Sequence, residues 1–182
     1  ICLQYALVNF KNFESPEELY KYIHEHGIEF FKKNNVRFLL LDLDNTLDSY
    51  KLYHPTDRAF ELIKKFRDAG ITPYIISNNK GKRVSSYAND LGVEYLNSAF
   101  KPFAKRINKF LADKSIDKNE VMMVGDQMFT DVGAGNRAKI KVILTDKIVK
   151  EDQWTTKFNR IFDHFARKRA LKKGELKDWR TL

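Results

Sequence analysis

Apolar and polar positions follow two rhythms along this chain. Short apolar runs rich in Val, Ile and Leu occupy residues 36–42, 71–77, 93–96, 121–125 and 141–145, and each predicts a strand. Between them, at 55–69, 80–91, 102–113 and 130–138, the pattern predicts helices. In 55–69 the apolar side is Phe60, Leu62, Ile63 and Phe66, and Gly70 marks the stop. Gly92 closes 80–91 in the same way. Near the start, Ser15, Pro16 and Glu18 form a helix-start signature, a capping serine with proline next and glutamate three residues on. It predicts a helix to about residue 26 with Gly27 as its stop, a second over 28–33, and an amphipathic one over 158–170. Strands alternating with helices imply an α/β fold, a mainly parallel five-stranded sheet with right-handed crossovers and helices on both faces. The expected division is a helical arm over 1–35 packed on the core, a core over 36–156, and a basic helix and tail over 157–182.

Composition narrows the class. A chain of 182 residues, 43% hydrophobic and 31% charged, suits one globular domain with a sizeable core. The single cysteine, Cys2, excludes an internal disulfide framework and a cysteine-based zinc site, and fits a reducing compartment. No apolar run has the ~20 residues that span a bilayer, and the segment 1–8 lacks the basic lead of a signal peptide. The expectation is a cytoplasmic protein. The net charge of +9 is uneven, because 157–180 holds nine Lys and Arg against three acids. Such a tail favours anionic partners (phosphorylated substrates, RNA or acidic lipid at the inner membrane face) or serves only as a solvated, solubilising segment.

One run carries candidate chemistry. Phe38-Leu39-Leu40-Leu41 ends abruptly in Asp42-Leu43-Asp44-Asn45-Thr46. Strand side chains alternate with a period of two, so Asp42 and Asp44 start on one side of the backbone. Paired carboxylates at the mouth of a parallel sheet repel each other and lose water, and the usual remedies are a bound cation or a shared proton. Open α/β sheets keep their sites at this edge.

Three further segments reach the same edge. Ile76-Ser77-Asn78-Asn79 ends the second strand with a hydroxyl and two amides. Lys101-Pro102 places an amine before a helix. Gly125-Asp126-Gln127-Met128-Phe129-Thr130-Asp131 ends the fourth strand with two more acids. Taken singly, each has an ordinary reading: Asp126 as a turn residue, Asp131 as a helix cap, Ser77 as a strand-end hydroxyl, Lys101 as a surface amine. Asn45, Asn78 and Asn79 shape loops or touch substrate. Asp48 and Asp57 are expected in solvent, and His24, His26, His54 and His164 show no metal-ligand spacing.

In order and spacing these four motifs resemble those of the haloacid dehalogenase (HAD) superfamily, over about residues 36–145. Together with Gly135-Asn136-Arg137 they more narrowly resemble the YqeG family, a subfamily IIIA group related to phosphatidylglycerophosphate phosphatases. The resemblance implies a Rossmann-like three-layer α/β/α core and a magnesium-dependent phosphoric monoester hydrolase acting through an aspartyl-phosphate. Asp42 would attack phosphorus, and Asp44 would protonate the leaving oxygen and then deprotonate the attacking water. Mg2+ would be held by a carboxylate oxygen of Asp42, the backbone carbonyl of Asp44 and a carboxylate oxygen of Asp126. Ser77 and the backbone N–H groups beside Asp44 would hold the phosphoryl oxygens, Lys101 would neutralise their charge, Asn78 would contact substrate, and Asp131 would orient Lys101 or a water on the metal.

HAD enzymes often insert a cap domain between these motifs. Thr46 to Ser77 has room for a loop and one helix, and Ser77 to Lys101 for a helix and a short strand, so no cap is expected. An open site suits large or surface-bound phosphate esters, with phosphatidylglycerophosphate the first candidate by family analogy. Two rivals stand beside this reading: an RNA- or ribosome-associated binding protein on a HAD scaffold, and a small-metabolite phosphatase whose lid comes from a dimer partner.

Overall fold

The computed structural model describes residues 5–7, 27–145, 148, 163–170, 172–174 and 176–178. Its strands are β1 (Tyr5–Leu7), β2 (Phe38–Leu41), β3 (Thr72–Ile76), β4 (Tyr95–Leu96), β5 (Val121–Gly125), β6 (Lys141–Leu144) and β7 (Leu176–Asp178). The helices that frame the sheet are α1 (Asp57–Asp68), α2 (Lys82–Asp90), α3 (Lys105–Asp113) and α4 (Gly133–Ala138). Residues 27–33 and 163–170 are also helical. The expected helix over 16–26 lies outside the described residues.

The sheet is parallel throughout, in the order β4-β3-β2-β5-β6-β1-β7. The five expected strands form its contiguous β4-to-β6 part. The count is seven, not five, because β1 and β7 extend the edge beside β6. Three residues are too few to show a period-two pattern, and these segments become strands only by pairing with an edge that needs partners.

Residue alternation in β2 divides the core. Leu39 and Leu41 join Ile63 and Phe66 of α1 and Val84 and Tyr87 of α2 on one face. Leu40 joins Ile107 and Leu111 of α3 and Ala134 and Ala138 of α4 on the other. A central strand covered on both faces is a continuous apolar run for this reason. Each fully buried Leu or Ile contributes about 1.5–3 kcal/mol.

Element ends depart from the pattern where capping or crowding decides. Thr56 caps α1, its Oγ1 accepting the Ala59 N–H at 3.3 Å. The predicted helix over 130–138 is a π-helical turn, Met128–Val132, running into α4. Gly135 lets α4 lie close to β6, since a Cβ there would collide with Val142.

Asp42 N–H donates to the Val124 carbonyl at 2.8 Å, Ser77 N–H to Leu96 at 3.0 Å, and Thr145 N–H to Gly125 at 2.8 Å. The strand ends are thus aligned at one edge. Residues 42–56 form a loop with a single bridge, Asp44 to Asp48, and only α2 and β4 separate Ser77 from the Lys101 turn. Neither interval contains an inserted domain.

Candidate active site

Burial and charge concentrate at the carboxyl edge. Asp42, Ser77, Lys101, Asp126 and Asp131 are all buried there. Lys101 is the hub. Its Nζ donates to Asp42 Oδ1, to Asp131 Oδ1 at 2.6 Å and to the Ile76 carbonyl at 3.2 Å. Burial alone would strip its proton, but Asp131 and Asp42 outweigh that and raise its pKa further. Asp42 behaves oppositely. Burial pushes its carboxyl well above the usual range, the Lys101 charge works against this, and Asp131, Asp126 and Asp44 add to the rise. Thr46 Oγ1 lies 3.4 Å from Asp42 Oδ2.

The loop that presents Lys101 is held from the second strand's end. Asn78 Nδ2 donates to the Lys101 carbonyl at 2.8 Å, and Asn78 Oδ1 accepts the Lys101 N–H at 2.7 Å. Asn78 thus shapes this loop, its carbonyl and one amide hydrogen being spent on backbone. Ser98 and Phe100, just before Lys101, hold the left-handed backbone region that is costly for side-chain-bearing residues. Ser77 Oγ accepts the Asn79 N–H at 3.1 Å.

Asp131 approaches the cluster because Gly125 has no side chain, and a Cβ there would collide with the Asp131 carboxylate. Asp131 Oδ2 also accepts the Gln127 N–H at 3.0 Å. Carboxylate oxygens of Asp42, Asp126 and Asp131 all lie within 4.8 Å of one another. Three buried acids with one amine among them leave excess negative charge in a dry space. The donors are oxygen alone, which fits a hard divalent cation.

The two acids of the first motif do not share a proton or a partner. Asp44 turns to Arg83, on the first turn of α2, and to Asn79 Nδ2 at 2.6 Å. Burial raises the Asp44 pKa and Arg83 opposes the rise. Each acid thus has its own cation, and neither bond links it to the other.

Several residues of this assembly had no motif to announce them. Arg83 reads in sequence as one cation in a polar helix. Asp48, expected in solvent, is buried: it accepts from Thr56 N–H at 3.0 Å, Tyr87 OH at 2.6 Å and Arg58 Nη2 at 3.3 Å. It pins the loop carrying Asp44, and only the packing of α1 and α2 around it creates those donors. Asp57 is exposed, as expected, and so is His54. Asp163 is buried and accepts the Met128 and Phe129 N–H groups at 3.0 and 3.1 Å. Arg167, one turn on, donates to the carbonyls of Asp126 at 2.5 Å and Thr145 at 2.8 Å. This part of the basic segment is a strut for the Asp126 loop. Within 157–180 the side chains of 157–162, 171 and 175–180, Trp179 among them, lie outside the described ones, as does that of Trp154.

The sequence pattern of the haloacid dehalogenase-like hydrolases matches residues 2–145 of the chain. The chain belongs to this family. Among relatives of known name, it is 32% identical over 166 residues to the probable phosphatase YqeG of Bacillus subtilis (strain 168), covering 91% of this chain and 96% of that one. It is 25% identical over 182 residues to the chloroplastic/mitochondrial phosphatidylglycerophosphate phosphatase 1 of Arabidopsis thaliana, covering 93% of this chain and 51% of that longer one. Among solved structures, an uncharacterized protein from Listeria monocytogenes serotype 4b superposes with a TM-score of 0.51 at 19% identity, over 65% of this chain and 85% of the other. That last likeness concerns the fold alone. This HAD hydrolase is a phosphatase and takes a phosphorylated substrate. Among the described residues no helix is long and apolar enough to cross a membrane.

Proposed function

We propose that this HAD phosphatase is a Mg2+-dependent phosphomonoesterase that works through an aspartyl-phosphate and acts on a large or surface-bound ester, phosphatidylglycerophosphate being the first candidate. The observation that carries the reading is the buried Asp42–Lys101–Asp131 chain beside Asp126, at the open edge of the sheet. Asp42 would attack phosphorus and expel the alcohol, forming the aspartyl-phosphate. Asp44 has its own ion pair with Arg83, and a raised pKa suits a group that gives a proton to the leaving oxygen and later takes one from water. Lys101, pinned by Asp131, keeps its charge and would neutralise the phosphoryl oxygens. Ser77 Oγ and nearby backbone N–H groups would hold those oxygens.

Asp42, Asp126 and the Asp44 carbonyl would hold the Mg2+, which supplies the charge that lets a carboxylate meet a phosphate dianion. The intervals between the motifs hold no inserted domain, which supports a large substrate, and the likeness to the Arabidopsis relative supports a lipid one. The two rivals draw no such support: hydrolase membership disfavours a pure RNA-binding scaffold, and nothing in the described residues calls for a borrowed lid.

The test is phosphate release from p-nitrophenyl phosphate with Mg2+ or with EDTA, for the native chain and for Asp42→Asn. Loss in both the EDTA and Asp42→Asn arms is expected. Undiminished release by Asp42→Asn would overturn the nucleophile assignment. Undiminished release with EDTA would overturn the metal.

A further inference from the structure

The exposed apolar side chains of this protein are not scattered. Among the described residues, the large exposed ones Leu52, Tyr53, Phe100, Phe103 and Phe129 all come from loops or turns that follow strands at the carboxyl edge. All of these but Leu52 are more than half exposed.

They come from segments joined side to side. Leu52 offers its carbonyl to Arg83 at 2.9 Å. Lys80, from the same turn as Arg83, lies 5.7 Å from the centre of the Phe100 ring. The Phe103 N–H donates to Phe100 at 2.8 Å, and Pro102 between them abuts Gly133, at the end of the turn that carries Phe129. The result is a collar of apolar tips around the site mouth.

The loops that carry the collar are basic. Segments 49–54, 78–83, 97–106 and 127–130 contain no Asp or Glu. They contribute exposed Lys51, Lys80, Lys82, Lys105 and Arg106. The site's own acids are buried or, for Asp44, paired with Arg83.

We propose that this collar docks the enzyme on an anionic lipid surface, with Phe103 and Phe129 entering the interface and the lysines and Arg106 facing the headgroups. The proposal rests on the phosphatase reading of the site, since it explains what brings an open mouth to a surface-bound ester. Apolar tips beside basic residues are the composition that binds such interfaces. Each basic residue near an anionic leaflet contributes roughly a fivefold gain in affinity. Two other occupants fit less well. A second copy would set this basic rim against itself. An RNA base would need a bare aromatic face, and Lys80 and Arg106 both lie 5.7 Å from the Phe100 ring centre.

The experiment is co-sedimentation of the full chain with vesicles of phosphatidylglycerol and phosphatidylcholine, or of phosphatidylcholine alone. We expect binding to the anionic vesicles only. The Phe103→Ser, Phe129→Ser pair should weaken it by about tenfold. Lys105→Glu with Arg106→Glu should weaken it at least as much, and added salt should release it. Circular dichroism checks that both variants fold. Equal binding to both vesicles, no binding, or unaltered binding by both folded variants would overturn the proposal. So would a concentration-dependent dimer, or tight RNA binding, that the Phe103→Ser, Phe129→Ser pair abolishes while vesicle binding is absent. Release of phosphate from p-nitrophenyl phosphate, measured on the same native preparation, separates the two readings. Release without vesicle binding sinks the docking and leaves the phosphatase. Vesicle binding without release leaves the docking and counts against the proposed Mg2+-dependent phosphomonoesterase.

Discussion

The two edges of the central sheet differ in an instructive way. The amino edge holds a cavity of about 770 Å3, lined by Lys32, Arg37, Lys118, Lys139 and Lys141 with Glu120. Its charges sit at the surface and find ordinary partners: Arg37 meets Glu120 at 3.2 Å, Lys118 meets Asn108 at 2.7 Å, and Lys141 meets Asn34 at 3.2 Å. The carboxyl edge has three buried acids around one buried lysine. Chemistry, not cavity volume, marks the second as the site. Solvated charges cost little and are held loosely, whereas charges taken out of water persist only where the fold or a ligand compensates them.

That contrast can be tested from both ends. Asp42→Asn should cut phosphate release by about 10³-fold or more, while Lys141→Gln at the amino edge should leave the rate within about twofold. A steady-state assay of both variants decides this, and a large loss from Lys141→Gln would erase the distinction. Lys101→Ala should be costly for folding as well as for rate. It strands Asp42 and Asp131 without their buried cation, a loss of about 3–5 kcal/mol by urea unfolding. Saturating Mg2+ should raise the thermal midpoint of the native chain, with about 2.7 kcal/mol available at a hundredfold excess over the dissociation constant. In Asp126→Asn that rise should vanish, which calorimetry reads without any substrate.

Smaller effects refine the same picture. Tyr87→Phe removes one of the donors to buried Asp48 and should cost about 1 kcal/mol in urea unfolding. Because Asp48 pins the loop carrying Asp44, a fall in turnover beyond that expected from stability alone would show that the anchor also positions the acid. Arg37→Ala, at the amino edge, breaks a surface pair and should change stability by no more than about 1 kcal/mol.

The collar adds a second lesson about the two edges. The apolar rim, the basic loops and the buried acids belong to one end of the sheet because parallel strands deliver all their carboxyl ends there. The loops that follow are then free to vary without disturbing the core.

How much of this was legible in the chain follows from the range of the interactions. Strand and helix types over 36–145 were readable, because burial on one or two faces writes its period directly into the residues. The acids, Lys101 and Ser77 were readable as a set, because each sits at a strand end or helix start and their order is local information. The seven-stranded sheet was not, since Tyr5–Leu7 and Leu176–Asp178 become strands only beside β6. Nor was the separation of Asp42 from Asp44. A period of two puts them on one side, but the chain leaves the strand after Leu41, Asn45 takes a left-handed turn, and Arg83 draws Asp44 to its own partner. Asp48 looked like one more polar loop residue until Thr56, Arg58 and Tyr87 closed over it. Asp163 and Arg167 were hidden in a basic run whose composition speaks of solvent. The sequence alone therefore determined which groups carry charge and which elements carry them. The tertiary structure decided which charges lose water and which partner compensates each one, because burial and hydrogen bonding are set by residues far apart in the chain.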